Sequence, residues 1–295
     1  MSLEHPFDRP VIILAAPRSG STLLYEVLAT AEDFWTVGGE SHMLIESLPE
    51  LSPASGSVES NRLTGEDASP ELIRALQDNF AYALRDHKGR LWVKHQEVKR
   101  LRFLEKTPKN ALRQPLLEKV FPDASYIYLY RDPRENISSM MEAWKSGGWV
   151  TYPRLKNWRG PPWSLLLPPD WSAMNGRPLE QICAFQWDAA NRIILDDLAV
   201  IEPERWTAID YRSLTENTND EIRRLCTFAG IPVDENLSGH LAEPLPLSRY
   251  TLTPPRKEKW RQNEDAIQSI MDSVQATDQR AREVLARKEE QVARN

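Results

Sequence analysis

Cysteine and long apolar segments are both scarce in this chain, which limits the compartments it suits. Two cysteines, Cys183 and Cys226, occur among 295 residues, and two cannot build a disulfide framework, so we expect a reducing environment. No apolar run reaches the roughly 18 residues that a membrane-spanning helix needs. The first residues also lack the basic and then apolar layout of a signal peptide. We therefore expect a soluble, cytoplasmic protein without a membrane partner.

Positive charge is also in deficit. Lysine and arginine number 37 against 43 aspartates and glutamates, which gives a formal net charge of −6. A general nucleic-acid partner would need a basic surface, so we expect none, and the basic residues must act locally. Hydrophobic residues make up 41% and charged residues 27% of the chain, which is ordinary for a globular protein. The length of 295 residues suits one large α/β domain.

Near its N-terminus the chain does contain a strand, a loop of small residues and a helix start. Residues 10–16 form an apolar, β-rich run, and the sequence Pro-Arg-Ser-Gly-Ser-Thr then breaks it and opens an amphipathic helix. This arrangement turns backbone N–H groups toward an anion. Gly20 allows close approach of the backbone, and Arg18 adds a fixed positive charge. Ser21 and Thr22 add hydroxyl donors. The loop therefore predicts a site for a phosphate-type anion.

This loop is not a Walker A motif, because the lysine that follows the second glycine of that motif is absent. Its cation lies on the other side of the glycine, at Arg18. An ordinary strand, turn and helix with a serine cap is the alternative interpretation of the same residues.

A second strand, turn and helix follows further along the chain. Residues 125–130 predict a strand, Pro133 suits a first helical turn, and the helix should stop at Gly147. Arg131 follows the strand and Ser139 lies on the helix. A guanidinium can hold a phosphate by two bonds, and a nearby hydroxyl can add a third. The alternative is that Arg131 is a solvated charge, as arginines at strand ends usually are.

Together the two motifs resemble those of the sulfotransferase superfamily that uses 3′-phosphoadenosine 5′-phosphosulfate (PAPS). The sequence of residues 17–23, Pro-Arg-Ser-Gly-Ser-Thr-Leu, resembles its 5′-phosphosulfate loop. Arg131 and Ser139 match the R-x7-S spacing that holds the 3′-phosphate. The resemblance covers residues 10 to about 260. It implies one α/β domain over residues 1–295, with a central parallel β-sheet flanked by helices, in a P-loop-NTPase-like sulfotransferase fold.

The resemblance also implies the contacts to PAPS. At the phosphosulfate end it assigns Arg18, Ser19, Gly20, Ser21 and Thr22. Tyr211, in the sequence Tyr-Arg-Ser-Leu, matches a tyrosine that lies near the purine. Near the C-terminus, Lys257 is the residue that we expect to contact the nucleotide, and Arg256 and Lys259 are its alternatives. The Arg-Lys-Gly triplet of the cytosolic enzymes is absent, and a solvated run of charge explains these residues equally well.

A further cation is expected beside the bridging oxygen of PAPS. The sequence Glu-Lys106-Thr-Pro108 resembles the lysine motif of tyrosylprotein and heparan-type sulfotransferases, which assigns this role to Lys106. Sulfotransferases that act on phenols and steroids have a histidine where this chain has Pro108, which weighs against that subfamily. A surface lysine before a proline-started helix is the alternative. Because arginine and lysine neutralise the charge, we expect no metal.

The general base must then come from another part of the chain. Glu40, twenty residues beyond Gly20, matches the place of the catalytic glutamate in tyrosylprotein-type and bacterial trehalose sulfotransferases. A carboxylate can take the proton of the acceptor if partial burial raises its pKa. The alternative is that Glu40 only favours the dipole of the next helix. His42 is the reserve base, because imidazole titrates near neutrality, and His95 is a weaker candidate.

Residues 147–178 differ from the rest of the chain. They contain four tryptophans and six prolines, and a segment of this kind inside a compact domain is usually functional or mobile. We expect a lid-like insertion that covers the site and shapes an acceptor pocket. A packed excursion over a sheet edge is the alternative. A long C-terminal helix is expected from about residue 263.

The remaining elements follow from periodicity and from capping and turn residues. We expect an exposed loop over 49–68 and strands or strand ends over 91–94, 101–106 and 206–209. Helices are expected over 42–47, 69–88, 110–120 and 221–229. Strands that alternate with helices predict a parallel sheet that is covered on both faces.

These features predict an enzyme, a PAPS-dependent sulfotransferase. It would move a sulfuryl group by in-line displacement onto a hydroxyl or amine of a small-molecule or carbohydrate acceptor. The tryptophan-rich segment suits an apolar ring or a sugar face and does not choose between them. The alternatives are a nucleotide kinase on a related P-loop-like fold and a non-catalytic nucleotide-binding protein on the same scaffold. The oligomeric state stays open.

Overall fold

A parallel β-sheet lies at the centre of the protein, which a computed structural model describes for residues 7–95, 97–98, 100–254 and 256–294. The strands are β1 Val11–Ala15, β2 Trp35–Thr36, β3 Phe103–Lys106, β4 Ser125–Tyr130, β5 Val150–Tyr152, β6 Trp163–Ser164 and β7 Trp206–Asp210. The central sheet has the order β2-β3-β1-β4-β7, and every neighbouring pair in it is parallel. Strands β5 and β6 form a separate antiparallel pair.

Helices pack around the sheet and carry most of the remaining core. They are α1 Ser21–Leu28, α2 His42–Glu46, α3 Pro70–Ala83, α4 Gln114–Val120, α5 Pro133–Ser146, α6 Leu179–Leu198, α7 Tyr211–Glu216, α8 Thr218–Ala229, α9 Glu235–Ala242 and α10 Glu264–Arg294. Within the described ranges, no helix combines the length and the apolar character that crossing a membrane requires.

Both faces of the central sheet are buried, as the apolar sequence of β1 predicts. Ile12 and Leu14 face one hydrophobic core, which α3, α4, α5, α6 and α10 close. Val11, Ile13 and Ala15 face a second core, which α1, α8 and α9 close. Successive side chains of a strand point to opposite faces, so an apolar run of this kind fits a strand that is covered on both sides. The predicted fold class, one α/β domain around a parallel sheet, is confirmed.

The second strand-turn-helix unit has the predicted bounds. Strand β4 covers residues 125–130, and α5 ends at Ser146, directly before Gly147. Gly147 has a φ of 68°, a left-handed conformation that ends a helix and that glycine adopts without strain. At the other end, the carboxylate of Asp132 accepts a hydrogen bond from the N–H of Arg134 and caps α5.

The helix predicted over 69–88 is too long. It ends at Ala83, because the backbone of Leu84 is extended and Arg85 leaves the helix to pair with Thr36. The N–H and the carbonyl of Arg85 both bond to Thr36 at 2.9 Å. A contact between residues this far apart in sequence outweighs the local helical preference.

Two further predicted elements differ in type. The strand predicted over 91–94 is a 3-10 helix, Trp92–Lys94. The helix predicted over 110–120 is divided into a 3-10 helix, Pro108–Leu112, and α4. Arg113 separates the two parts because its φ of −128° is not helical.

Residues 49–68 are not the exposed loop that their composition predicts. Leu63 and Asn61 are fully buried, and Asn61 fastens this segment to the tryptophan-rich insertion. Its N–H donates to the carbonyl of Leu167 at 2.7 Å, and its side-chain oxygen accepts from the N–H of Leu167 at 2.6 Å. Its amide nitrogen donates to the hydroxyl of Tyr152 at 2.6 Å. These bonds satisfy the buried polar groups and hold the two segments together.

The insertion over 147–178 contains a folded aromatic cluster. Trp163 is fully buried, and its ring lies edge-on to those of Trp158, Trp144 and Trp171, with centroid distances of 4.9, 5.4 and 5.9 Å. Edge-to-face pairs at these distances stabilise beyond their buried area. The segment therefore packs against the first core.

Candidate active site

One large cavity opens at the carboxyl ends of β1, β4 and β7, the edge at which parallel sheets usually bind ligands. Its volume is about 510 Å³. The sequence-predicted residues that line it are Arg18, Gly20, Ser21, Thr22, Glu40, His42, Arg131, Ser139 and Tyr211. The fold thus brings together side chains that come from four separate stretches of the chain.

The loop after β1 is bent by two residues with a left-handed backbone. Arg18 has a φ of 66° and Gly20 a φ of 94°. A Cβ atom at Gly20 would lie 2.3 Å from Cε2 of Tyr211, so this position needs glycine both for its backbone angle and for the ring packed against it. Ser21 and Thr22 follow in the first turn of α1, where helix N–H groups have no partner within the helix. This end of α1 suits an anion.

Two guanidinium groups, those of Arg18 and Arg131, share the cavity. Nη1 of Arg131 donates to the carbonyl of Arg18 at 3.0 Å, and its guanidinium lies 4.4 Å from the ring centre of Tyr211. Arg18 stacks on Trp149 at 4.7 Å and donates to the carbonyl of Tyr250 at 2.9 Å. Burial, and then the charge of Arg131, lowers the pKa of Arg18. An anion between these groups would relieve their repulsion.

Helix α5 adds hydroxyl and carboxylate groups to the same wall. Ser139 lines the cavity, as do Glu135 and Glu142, which lie one turn before and after it. Glu135 pairs with Arg131 at 3.3 Å, and Glu142 pairs with Lys259 at 2.7 Å. The sequence interpretation missed Glu142, although helical spacing from Ser139 could have identified it. Its ion pair fastens the segment before α10 to the rim of the cavity.

The predicted lysine and the predicted base form an ion pair. Nζ of Lys106 lies 2.7 Å from Oε1 of Glu40 and donates to Oγ1 of Thr22 at 3.1 Å. Lys106 is only 2% exposed, whereas Glu40 lines the cavity. Because Thr22 lies in the first turn of α1, directly after Gly20, the pair brings a cation and a carboxylate to the side of the predicted anion site.

His42 lies beside this pair. Its Nδ1 is 3.7 Å from Oε2 of Glu40. Burial, and then the charge of Lys109, lowers the pKa of His42, so the imidazole is neutral near pH 7 and can accept a proton. Lys109 is itself held by Glu46 at 2.9 Å. Both candidates for the base therefore reach the cavity wall.

Apolar side chains of the insertion line one side of the cavity. They include Trp149, Val150, Leu165 and Leu166. The ring of Tyr250 lies edge-on to Trp149, with a centroid distance of 5.3 Å, and 5.6 Å from Nζ of Lys106. Tyr250 lies in a stretch without helical or strand periodicity, and the sequence interpretation did not single it out.

Four predicted residues do not line the cavity: Lys106, which lies behind Glu40, and Ser19, Lys257 and His95. Ser19 is fully buried, and its hydroxyl donates to the carbonyl of Ala16 at 2.8 Å. It therefore stabilises the bend of the loop on the side that faces away from the cavity. Lys257 is exposed, and its two alternatives, Arg256 and Lys259, line the cavity instead. His95 pairs with a neighbouring glutamate at 3.0 Å, away from the cavity.

No metal centre is evident in the part of the chain that the structure describes. Histidine, cysteine, aspartate and glutamate side chains there form no group of three or more that could hold an ion.

The contact between Gly20 and Tyr211 makes a prediction about stability. We expect Gly20→Ala to lose about 1–3 kcal/mol more than Gly56→Ala in denaturant unfolding, since overpacking adds to the backbone strain. Gly56 is a matched control, because its φ of 82° is also left-handed and no atom lies within 4 Å of an added Cβ. Equal losses in the two variants would contradict the close packing of Tyr211.

Comparisons with known proteins agree with this geometry. A crystal structure of a sulfotransferase from Alicyclobacillus acidocaldarius covers 95% of this chain and 96% of its own, with 14% identity and a TM-score of 0.51. The sulfotransferase STF1 from Mycobacterium tuberculosis H37Rv covers 89% of this chain and 77% of its own, with 12% identity and a TM-score of 0.50. These similarities establish the fold.

A sequence relative and a family model extend the comparison. An uncharacterized protein of Aquifex aeolicus (strain VF5) is 22% identical over 284 residues, which cover 92% of this chain and 33% of that protein. The chain thus spans about a third of the length of this relative. The model of the sulfotransferase family matches residues 10–235, which include the strand-loop-helix units that carry Arg18 and Arg131. The protein therefore belongs to the sulfotransferase family.

Proposed function

We propose that this protein is a PAPS-dependent sulfotransferase of the cytoplasm, acting on a hydroxyl or amine of a small-molecule or carbohydrate acceptor. The observation that carries the proposal is the convergence of Arg18 and Arg131 in one cavity, with Arg131 bonded to the carbonyl of Arg18. PAPS carries anionic groups at two ends of an adenosine. Two cations on one wall, with aromatic rings beside them, fit such a ligand. Both cysteines are free thiols, which suits a reducing compartment.

The residues around the two guanidiniums fit the nucleotide chemically. Nε of Arg18 is buried and has no hydrogen-bond partner among the described residues, so a ligand oxygen could accept from it. The hydroxyls of Ser21 and Thr22, at the start of α1, would contact the 5′-phosphosulfate. Arg131 and Ser139 would hold the 3′-phosphate, and Tyr211 would lie near the purine.

Transfer would proceed by in-line displacement. The acceptor oxygen or nitrogen forms a bond to sulfur while the bond from sulfur to the oxygen of the 5′-phosphate breaks. Glu40 would take the proton of the acceptor, and Lys106 would stabilise charge on the leaving oxygen. Their ion pair holds both groups beside Thr22 before substrate binds. His42, neutral and next to Glu40, would assist as a second proton acceptor.

The insertion would form the acceptor wall and close over it. Trp149 supports this role, because it lines the cavity next to apolar side chains and stacks on Arg18. A wall of this kind suits an aromatic ring or the apolar face of a sugar. Because Arg18 belongs to the donor loop, the stacking of Arg18 on Trp149 connects the acceptor wall to the donor end of the site.

Nucleotide binding tests the central assignment. We expect Arg18→Ala and Arg131→Ala each to weaken binding of the product nucleotide 3′-phosphoadenosine 5′-phosphate (PAP) by about tenfold or more, since each loses a charge-assisted contact. Isothermal titration calorimetry measures the effect. Arg154→Ala, at an exposed position of the insertion, is the control and should bind normally. Unchanged affinity in both cavity variants would refute the donor site.

Turnover tests the proposed base. Glu40→Gln keeps the shape of the side chain and an oxygen for Lys106, so we expect PAP affinity to stay the same. The rate should fall about 100-fold or more, the effect of removing a general base. Rates are measured with labelled PAPS and a panel of phenols, aliphatic alcohols, amines and sugars. Glu50→Gln, at an exposed site, is the control. A fully active Glu40→Gln protein would transfer the role to His42 or another group.

Uncoupled hydrolysis tests the acceptor wall. We expect Trp149→Ala to raise the ratio of sulfate released to water over sulfate transferred to acceptor, because water then enters the reaction centre. Labelled PAPS measures both products in one reaction. Trp171→Ala removes a tryptophan of the insertion that does not line the cavity, and its ratio should match that of the wild type. The same ratio in Trp149→Ala would count against the wall.

A further inference from the structure

A buried polar network joins the loop that carries Glu40 to the strand that carries Lys106. Ser41 is fully buried. Its N–H donates to Oγ1 of Thr107 at 2.7 Å, and its hydroxyl donates to Oε1 of Glu105 at 2.6 Å. The members of this network are the sequence neighbours of the Glu40–Lys106 pair, and the proposed mechanism does not use them.

The carboxyl group of Glu105 has the surroundings of an uncharged acid. It is 1% exposed, and its Oε2 has no hydrogen-bond partner in the part of the chain that the structure describes. The ammonium of Lys106 bonds instead to Glu40 and Thr22. A carboxylate would leave a charged oxygen buried without a donor, which is strongly unfavourable. Burial raises the pKa of Glu105 by more than the hydrogen bonds of Ser41, Thr107 and Asn110 lower it.

A second buried oxygen without a hydrogen-bond partner within the described ranges lies in the same network. Oδ1 of Asn110 is buried without a partner among the described residues, while its amide nitrogen donates to Oγ of Ser41 at 3.3 Å. Two acceptors without donors in one network are explained if Glu105 carries a proton and is itself a donor.

We propose that Glu105, in its uncharged form, is a positioning residue that fixes Glu40 against Lys106 by way of Ser41. The inference rests on the proposed function, in which Glu40 is the base. Glu105 and Lys106 are adjacent on β3, so their side chains lie on opposite faces of the strand. Ser41 and Glu40 are likewise adjacent in one loop. The hydrogen bond of 2.6 Å between Ser41 and Glu105 on one face therefore fixes the position of Glu40, which pairs with Lys106 at 2.7 Å on the other face.

The consequence for catalysis is geometric. General acid–base transfer needs the base within hydrogen-bond reach of the proton, and a misplacement of about 1 Å can lower a rate about 100-fold. Glu105 does not line the cavity. Loss of its bond to Ser41 should therefore lower turnover and leave nucleotide binding as it is.

The experiment follows release of labelled sulfate from PAPS to water, a reaction that needs no identified acceptor. The variants are Glu105→Gln, Glu105→Leu and Ser41→Ala, each also combined with Glu40→Gln. Glutamine has the shape and neutrality of the protonated acid, so Glu105→Gln should keep a third or more of the wild-type rate. Glu105→Leu and Ser41→Ala should each lose about tenfold or more. PAP affinity should change by less than about twofold in every variant.

The double variants separate positioning from a general loss of structure. With Glu40→Gln as the background, Glu105→Leu and Ser41→Ala should have little further effect, because the group they position is already gone. Ser41→Ala removes one hydroxyl and keeps the proposal testable if Glu105→Leu does not fold. Ser47→Ala, at an exposed serine after α2, is the control.

Two results would overturn the positioning role. One is that Glu105→Leu and Ser41→Ala lower the rate of sulfate release as much in the Glu40→Gln protein as in the wild type. The other is that the Glu105→Gln protein is as slow as the Glu105→Leu protein. Failure of the proposed function is recognised separately. A Glu40→Gln protein as fast as the wild type would refute the base itself, and that comparison involves no Glu105 variant.

Discussion

The repulsion between Arg18 and Arg131 is the constraint on which the rest of the site depends. The fold holds both guanidiniums in one cavity, where burial, and then the charge of Arg131, lowers the pKa of Arg18. Glu135 neutralises one of them in part. The ring of Tyr211 packs on Gly20 and under Arg131, and so connects the two loops. An arrangement that is unfavourable without an anion is thereby kept ready for one, which is the electrostatic preorganisation that transfer reactions use.

The fold could be predicted where its signals are local, and not where its partners are distant. The sequence interpretation identified β4 and α5 because an apolar run, a proline suited to a first helical turn and a terminating glycine mark them. It predicted no helix where α6, Leu179–Leu198, lies. Polar residues on the buried face of α6 obscure its periodicity: Gln186 accepts from Trp144 at 3.0 Å, and Asn191 accepts from Tyr128 at 2.8 Å. Only the folded chain reveals those partners.

The site was predictable to the same extent. Glu40 and Lys106 each have a motif around them, and the structure brings them within 2.7 Å. Glu105 belongs to the same motif, but its link to Ser41 depends on how β3 meets the loop after β2, which sequence spacing does not give. Tyr250 enters the cavity from a segment without periodicity. Contacts across the sheet edge, rather than residue types, determine these roles.

The affinities of three nucleotides test the central claim most directly. Calorimetry would compare PAP with adenosine 5′-phosphate and adenosine 3′-phosphate at one salt concentration. If Arg18 and Arg131 hold opposite ends of one ligand, PAP should bind about tenfold or more tighter than either monophosphate, because each phosphate adds charge-assisted hydrogen bonds. Equal affinities for the three nucleotides would contradict the account.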